Sequence, residues 1–88
     1  MKLIMYVPST AGGFSEVLRI NAELIRPSRF IIFTDNINKC GDKLPQVNEI
    51  YCINYGGAEA LLRMLLIAEV GDVVVNGAIL DSSFMQYY

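Results

Sequence analysis

Apolar residues gather in four short runs that read as β-strands. The runs are residues 2–7, 29–34, 49–54 and 72–76, and each is rich in Ile, Val, Tyr or Phe. The first, second and fourth runs are almost continuous in apolar residues, which is typical of strands covered on both faces in a parallel sheet. We therefore expect a small three-layer α/β fold with helices on both faces of the sheet.

Helical periodicity fills the segments between the first two strands and between the last two. In the first segment Phe14, Leu18 and Ile25 fall on one face, and the helix is predicted to stop before Pro27. The second segment, GGAEALLRMLLIAEVG, predicts a helix that ends at Gly71. Its leucines wrap more than one face, so we expect this helix to pack on two sides or to form a subunit contact.

The halves 1–44 and 45–88 resemble each other as a pseudo-repeat. With a shift of 44 residues, GGFSEVLRI at 12–20 falls on GGAEALLRM at 56–64. The chain thus predicts two βαβ units in a single domain, 1–88. Right-handed crossovers then favour a parallel sheet of order 2-1-3-4, as in flavodoxin-like and Rossmann-like folds. A competing signal is the pair Asn76-Gly77, typical of a hairpin that would make 78–80 an antiparallel edge strand.

The amino-acid composition limits the kinds of binding partner that we expect for this chain. The chain is 53% hydrophobic and only 18% charged, so part of its apolar surface is expected to meet another copy in a homo-oligomer. A net charge of −2 without a Lys/Arg cluster argues against nucleic acid. The first apolar run is too short for a signal peptide, and no apolar window is long enough to span a membrane. These features predict a soluble, cytoplasmic protein without membrane contact.

The chain has few residues of the types that commonly act in catalysis. There is no histidine, and no pair of carboxylates suggests acid–base work, so a non-enzymatic role is favoured. Cys40 and Cys52 match no zinc spacing, and without a secretion signal we expect free thiols. No metal and no cofactor is predicted. An enzyme acting through Cys40, which stands beside Lys39, is a lesser alternative.

Glycine pairs follow the first and third strands. In the order 2-1-3-4 these strands are neighbours whose connections leave in opposite directions, and such a position forms a ligand crevice. Helix amides, close backbone approach and polar side chains would there bind a phosphate or nucleotide. The predicted ligand-binding residues are Ser9, Thr10, Gly12, Gly13, Asn54, Tyr55, Gly56 and Gly57. The alternative is that the glycines only form tight turns and the hydroxyls only cap helices. Likewise Thr34, Asp35 and Asn36 would hold a ribose or simply form a turn.

Two stretches carry a family resemblance: MYVPSTAGGFSEVLRINAELI and LLRMLLIAEVGDVVVNGAIL. Together they resemble the opening half of the N-terminal Rossmann-like domain of GT-B glycosyltransferases. The resemblance implies a Gly-Gly turn before the first helix and a later "DVV" strand. It also implies a role near the donor's phosphates for Gly12 and Gly13.

Two functions remain open from the sequence. The first is a non-catalytic domain that senses or sequesters a phosphorylated ligand or nucleotide at the crevice between the Gly-Gly turns. The second is a protein-interaction or inhibitor module, for example a viral counter-defence protein, acting through the second helix and the aromatic C-terminal tail. The predicted interface residues are Leu62, Leu66, Phe84, Met85, Tyr87 and Tyr88.

Overall fold

The computed structural model describes residues 1–9, 14–41, 46–54 and 57–76. Four strands and two α-helices alternate along this part of the chain, with a short 3₁₀ helix, Ile37–Lys39, after the second strand. The strands are β1 (Lys2–Val7), β2 (Arg29–Thr34), β3 (Glu49–Cys52) and β4 (Val73–Asn76), and the helices are α1 (Phe14–Ile25) and α2 (Gly57–Ile67).

The predicted element types are confirmed, and so is the all-parallel pairing of the four strands. β1 and β2 have the predicted bounds, and α1 stops before Pro27 as expected. The prediction that α2 reaches Gly71 is wrong, because the helix ends at Ile67. A turn follows instead, in which the Asp72 N–H donates to the Glu69 carbonyl oxygen at 3.0 Å.

The predicted strand order 2-1-3-4 is wrong. The sheet has the order β3-β2-β1-β4, so β3 lies beside β2 and β4 lies beside β1. The register pairs Thr34 with Cys52 on one side of the sheet and Leu3 with Val73 on the other. The two strands joined by α2 therefore lie at opposite edges of the sheet instead of side by side. The predicted antiparallel strand at 78–80 lies outside the described residues.

The two helices cover opposite faces of the sheet. Leu18 of α1 packs with Leu3, Met5 and Phe30 on one face. Ala60 and Met64 of α2 pack on the other face, against strand residues Ile4, Tyr6, Ile31 and Phe33 and against Ile53, which follows β3. Chain direction explains this arrangement. The α1 crossover runs from β1 toward one edge and the α2 crossover runs back toward the other, so right-handed connections place them on opposite faces.

At the amino edge of the sheet, Asp72 ties β4 to β1. Its carboxylate accepts the Lys2 backbone N–H at 2.8 Å and the Glu69 N–H at 2.8 Å, and it lies 2.9 Å from the Lys2 ammonium nitrogen. These hydrogen bonds from backbone N–H groups and from Lys2 lower the pKa of Asp72 to about 2. The charged side chains of Asp72 and Lys2 thereby fix the amino ends of β1 and β4 to each other.

Candidate functional site at the carboxyl edge

The carboxyl ends of four parallel strands meet at one edge of the sheet. Thr34 ends β2, Val7 ends β1 and the two outer strands end at Cys52 and Asn76. Ligands of open α/β sheets bind at such an edge, where the strand order reverses. In the order β3-β2-β1-β4 the reversal falls between β1 and β4. The prediction that the first and third strands are neighbours with a crevice between them is therefore wrong, because β2 separates β1 from β3.

Asp35 links the end of β2 to the start of the first Gly-Gly turn. Its Oδ1 accepts the backbone N–H of Ser9 at 2.6 Å. The preceding residue, Thr34, is fully buried, and its hydroxyl oxygen accepts the Asn36 N–H at 3.0 Å. Burial of Thr34 and this hydrogen bond fix the turn that presents the Asp35 carboxylate toward Ser9.

Among the described residues at this edge, the Asp35 carboxylate and the buried phenol of Tyr6 interact electrostatically. Tyr6 is buried in β1, and burial raises the pKa of its hydroxyl, with a further increase from the negative charge of Asp35. Tyr6 is therefore neutral at physiological pH. A negatively charged carboxylate at this position accepts hydrogen bonds from hydroxyl groups such as those of a sugar. A phosphate group is bound favourably only where it meets backbone N–H groups.

The structure describes three of the eight predicted ligand-binding residues: Ser9, Asn54 and Gly57. Ser9 is exposed and follows β1. Asn54 is exposed beyond β3, just after Ile53, whose N–H donates to the Thr34 carbonyl oxygen at 3.0 Å. Gly57 is the first residue of α2. The other predicted residues lie outside the described part of the chain: Thr10, Gly12, Gly13, Tyr55 and Gly56.

The expectation of free thiols is wrong. Cys40 and Cys52 form a disulfide with their Cα atoms 5.8 Å apart. The reason is the strand order, because β3 lies beside β2 and so brings Cys52 next to the turn that follows Thr34. The predicted order 2-1-3-4 separates these two strands, and it therefore also separates the two cysteines.

Edge strand β3 is held by side chains as well as by its backbone. Arg29 of β2 forms an ion pair with Glu49, and Glu49 also accepts a hydrogen bond from the Tyr51 hydroxyl at 2.8 Å. The Tyr51 ring stacks on Phe33 with ring centroids 5.0 Å apart. These contacts attach β3 to β2 independently of the disulfide.

A second candidate surface is the outer face of α2. Two of the predicted interface residues lie on it: Leu62 is 64% exposed and Leu66 is 83% exposed. Leu65 of α2 and Val70, which follows the helix, are also exposed, and the sequence analysis did not single them out. The surface formed by these four residues is called the α2 outer face below. The remaining predicted interface residues lie outside the described residues: Phe84, Met85, Tyr87 and Tyr88.

Residues 1–9, 14–41, 46–54 and 57–76 offer neither a metal site nor a membrane span. There, no three His, Cys, Asp or Glu side chains come together as a metal site. Both helices of these ranges lack the length and apolar character that a membrane span requires.

Comparison with known proteins adds no relative. The chain matches none of the protein families it was compared with, nor any curated protein or solved structure. The described residues define the class as a small α/β domain, and in them a four-stranded parallel sheet carries one α-helix on each face.

Proposed function

We propose that this chain is a non-catalytic domain that senses or sequesters a phosphorylated small molecule, a nucleotide in particular, at the carboxyl edge beside β1. The observation that carries the proposal is the hydrogen bond from the Ser9 N–H to the Asp35 carboxylate. It joins the turn after β2 to the beginning of the first Gly-Gly connection. In this proposal the Asp35 carboxylate supplies the hydroxyl acceptor that a nucleotide needs, and the amides at the start of α1 supply the phosphate contacts.

The strand order supports this assignment. The order β3-β2-β1-β4 agrees with the first four strands of dinucleotide-binding sheets, which have the order 3-2-1-4. In those sheets the helix after the first strand receives the phosphates, and an acidic residue about 20 positions after the glycines accepts a ribose hydroxyl. Asp35 follows Gly13 by 35 − 13 = 22 residues and stands directly after β2. This likeness motivates the Rossmann-like assignment, which remains part of the proposal.

The chemistry divides between two groups. Gly12 and Gly13 precede α1, whose first amides lack helical partners and favour an anion, so we assign the phosphate to them. The Asp35 carboxylate has two oxygens and about four lone-pair positions, so accepting the Ser9 N–H leaves capacity for a sugar hydroxyl. The GT-B resemblance stays a prediction and points to the same two glycines.

The second Gly-Gly turn has a more distant role in this proposal. β3 is separated from β1 by β2, and two strand spacings amount to about 10 Å. Asn54, Tyr55, Gly56 and Gly57 would contact the ligand only if it extends across the end of β2. A nucleoside diphosphate has the length to do so, and it would then pass over Asp35.

The test is binding of ADP to the full chain, measured by calorimetry, with native mass spectrometry of the purified protein to detect a retained molecule. Gly13→Asp places a carboxylate against the phosphate and should weaken ADP binding by at least about a hundredfold, the size of a lost charge-assisted contact. Gly57→Asp is the matched variant at the second turn and should have the smaller effect.

Asp35→Asn tests the sugar half of the site. ADP should lose affinity while 2′,3′-dideoxy-ADP, which lacks the hydroxyls, should bind this variant and the unchanged protein alike. The proposal is contradicted if no small molecule is retained and ADP, GDP, UDP and inorganic phosphate all fail to bind. Unchanged ADP affinity in both glycine variants would contradict the assigned site.

The second candidate function is a protein-interaction or inhibitor module that acts through the α2 outer face. A specific observation favours it, since Leu62 and Leu66 stay exposed on a helix whose opposite side is buried against the sheet. Contiguous exposed aliphatic side chains commonly mark a protein contact. Such a helix would lay its apolar stripe in a partner's groove or against a second copy.

The double variant Leu62→Glu/Leu66→Glu separates this function from ligand binding. Under the interaction hypothesis it should convert a homo-oligomer to a monomer in light scattering, and ADP binding should stay unchanged. Glu59→Gln, at another exposed position of α2, is the control and should leave the assembly intact. A monomer at all concentrations in the unchanged protein would remove the homo-oligomer from this hypothesis.

A further inference from the structure

The disulfide between Cys40 and Cys52 lies at the surface of the carboxyl edge. Cys52 is exposed at the end of edge strand β3, and Cys40 is half-buried just after the 3₁₀ helix. Reduction of a disulfide requires a thiolate to reach one of its sulfurs, and exposure makes Cys52 the sulfur open to that attack. The pair also lies outside both buried hydrophobic clusters, so the packing of the core does not enclose it.

The fold does not depend on this bond for the position of β3. Four register pairs join β3 to β2, and the Asn48 N–H donates to the Phe30 carbonyl oxygen at 2.8 Å. The Arg29–Glu49 ion pair and the stacking of Tyr51 on Phe33 add to them. We therefore expect opening of the disulfide to leave β3 paired with β2 and to release the turn between Thr34 and Cys40 from β3.

After reduction, the half-buried Cys40 also has a hydrogen-bond acceptor within reach. The Cys40 sulfur lies 3.6 Å from the carbonyl oxygen of Asn36, within the reach of a weak hydrogen bond from a thiol. Asn36 in turn caps the 3₁₀ helix through its side chain, which accepts the Asn38 N–H at 3.1 Å. On reduction the Cys40 thiol gains a hydrogen that it can donate to this carbonyl oxygen, which the disulfide sulfur cannot do.

We propose that Cys40 and Cys52 form a reversible dithiol/disulfide site that exchanges with a protein dithiol, and that its redox state controls the turn carrying Asp35. This goes beyond ligand binding and does not require it. One end of the turn is joined to β3 by the disulfide, and near its other end Asp35 accepts the Ser9 N–H. Reduction detaches the first end and weakens the hold on Ser9.

The exchange proceeds in two balanced steps. A thiolate of the dithiol attacks the Cys52 sulfur, the bond between Cys40 and Cys52 breaks, and Cys40 leaves as a thiolate that takes up a proton. The second thiol of the same dithiol molecule then loses its proton and attacks the dithiol sulfur that is bonded to Cys52. This step forms the disulfide of the dithiol and releases Cys52 as a thiolate, which takes up a proton. Two electrons and two protons have moved to the cysteine pair, and the dithiol has become a disulfide. Oxidation is the reverse reaction.

The first measurement equilibrates the full chain in glutathione buffers of stepwise ratio and with dithiothreitol as the dithiol probe. Acid quenching and labelling with a maleimide polymer then count the free thiols. We expect one transition from no free thiols to two within the glutathione series. A pair that stays oxidised in every glutathione buffer is a purely structural bond and overturns the proposal, as does a pair that never oxidises.

Two single variants test which sulfur is attacked. Cys40→Ser leaves Cys52 alone and should form a mixed disulfide with oxidised glutathione about tenfold faster than Cys52→Ser, which leaves the half-buried Cys40, because the rate depends on access. Equal rates, or the reverse order, would overturn the assignment of Cys52 as the attacked sulfur.

The structural consequence is read at the Ser9 amide by NMR. Reduction should increase hydrogen exchange at Ser9 while the amides of β2 keep their protection, and Cys40→Ser/Cys52→Ser should reproduce the reduced spectrum without any reductant. Loss of protection throughout the sheet would show that the bond maintains the fold, and an unchanged Ser9 amide would show that the turn is not under redox control. Either result overturns the proposal.

Discussion

The two βαβ units of this chain have similar sequences and different positions in the sheet. In the first unit α1 connects β1 to β2, which are hydrogen-bonded neighbours. In the second unit α2 connects β3 to β4, which lie at opposite edges. The local pattern strand, Gly-Gly, helix, strand is therefore compatible with either a short or a long crossover, and strand pairing depends on contacts distant in sequence.

The difference in position produces a difference in burial. The strands of the first unit occupy the centre of the sheet, so Leu3 and Ile32 have no exposed surface. The strands of the second unit are edges, and their residues Ile50, Val73 and Val75 are only partly buried. Large-to-small substitutions should accordingly cost more stability in the first unit than at matched positions of the second.

The largest expected effect compares Ile32→Ala with Ile50→Ala, two isoleucines paired in register across β2 and β3. Ile32 is fully buried, and its truncation should cost about 3–4 kcal/mol of unfolding free energy, whereas the partly buried Ile50 should cost about 1–2 kcal/mol. Urea denaturation measures both values. Equal costs would show that β3 is buried as deeply as β2, for example under another subunit.

A second comparison opposes the two sides of α2. Met64 is fully buried, so Met64→Ala should cost about 2–4 kcal/mol of unfolding free energy. Leu66 is 83% exposed, and Leu66→Ala should change stability by no more than about 0.5 kcal/mol. The same urea experiment applies at low protein concentration. A large loss for Leu66→Ala that grows with protein concentration would reveal an oligomer contact on the α2 outer face.

A third and smaller effect concerns pH at the junction of the two units. The pKa of Asp72 is lowered to about 2 in the folded chain, from 3.8 for an ordinary aspartate. A lowered pKa contributes stability that is present above the unfolded value and is lost as the pH falls through the folded value. Unfolding free energy should therefore fall between about pH 4 and about pH 2.

Asp72→Asn is the variant that isolates this contribution. It should be less stable than the unchanged protein at neutral pH, and its stability should depend less on pH in the same acid range. Arg19→Gln, which removes exposed ion pairs to Glu16 and Glu23 on α1, is the control and should retain the full acid dependence. Identical pH profiles for Asp72→Asn and the unchanged protein would contradict the role of Asp72.

The element types were predictable because apolar periodicity reflects burial directly. Continuous apolar runs predicted β1 and β2, and Pro27 predicted that α1 ends before it. The order of the strands was less accessible. β3 begins with the charged Glu49 and has only four residues, which fits an edge strand and could have argued against an interior position. β4 is as apolar as the central strands and still lies at an edge, so apolar continuity alone does not fix the order.

The candidate site was predictable in its residue types and not in its arrangement. Asp35 was singled out as either a sugar contact or a turn residue, and its bond to Ser9 arises because β2 lies beside β1. The disulfide was missed because it needs β3 beside β2, which the predicted order excluded. Each depends on a strand pairing, and a parallel pairing leaves no short-range mark such as a hairpin turn.

The long α2 crossover also bears on how the chain folds during synthesis. Lys2 and Asp72, which join β1 to β4, are 70 residues apart in the chain. The first unit can pair its own strands early, but β1 then keeps one unpaired edge of Leu3, Ile4 and Met5 until β4 is made. An exposed apolar edge strand is a template for association with other chains. We expect nascent chains that lack β4 to require a chaperone or to aggregate.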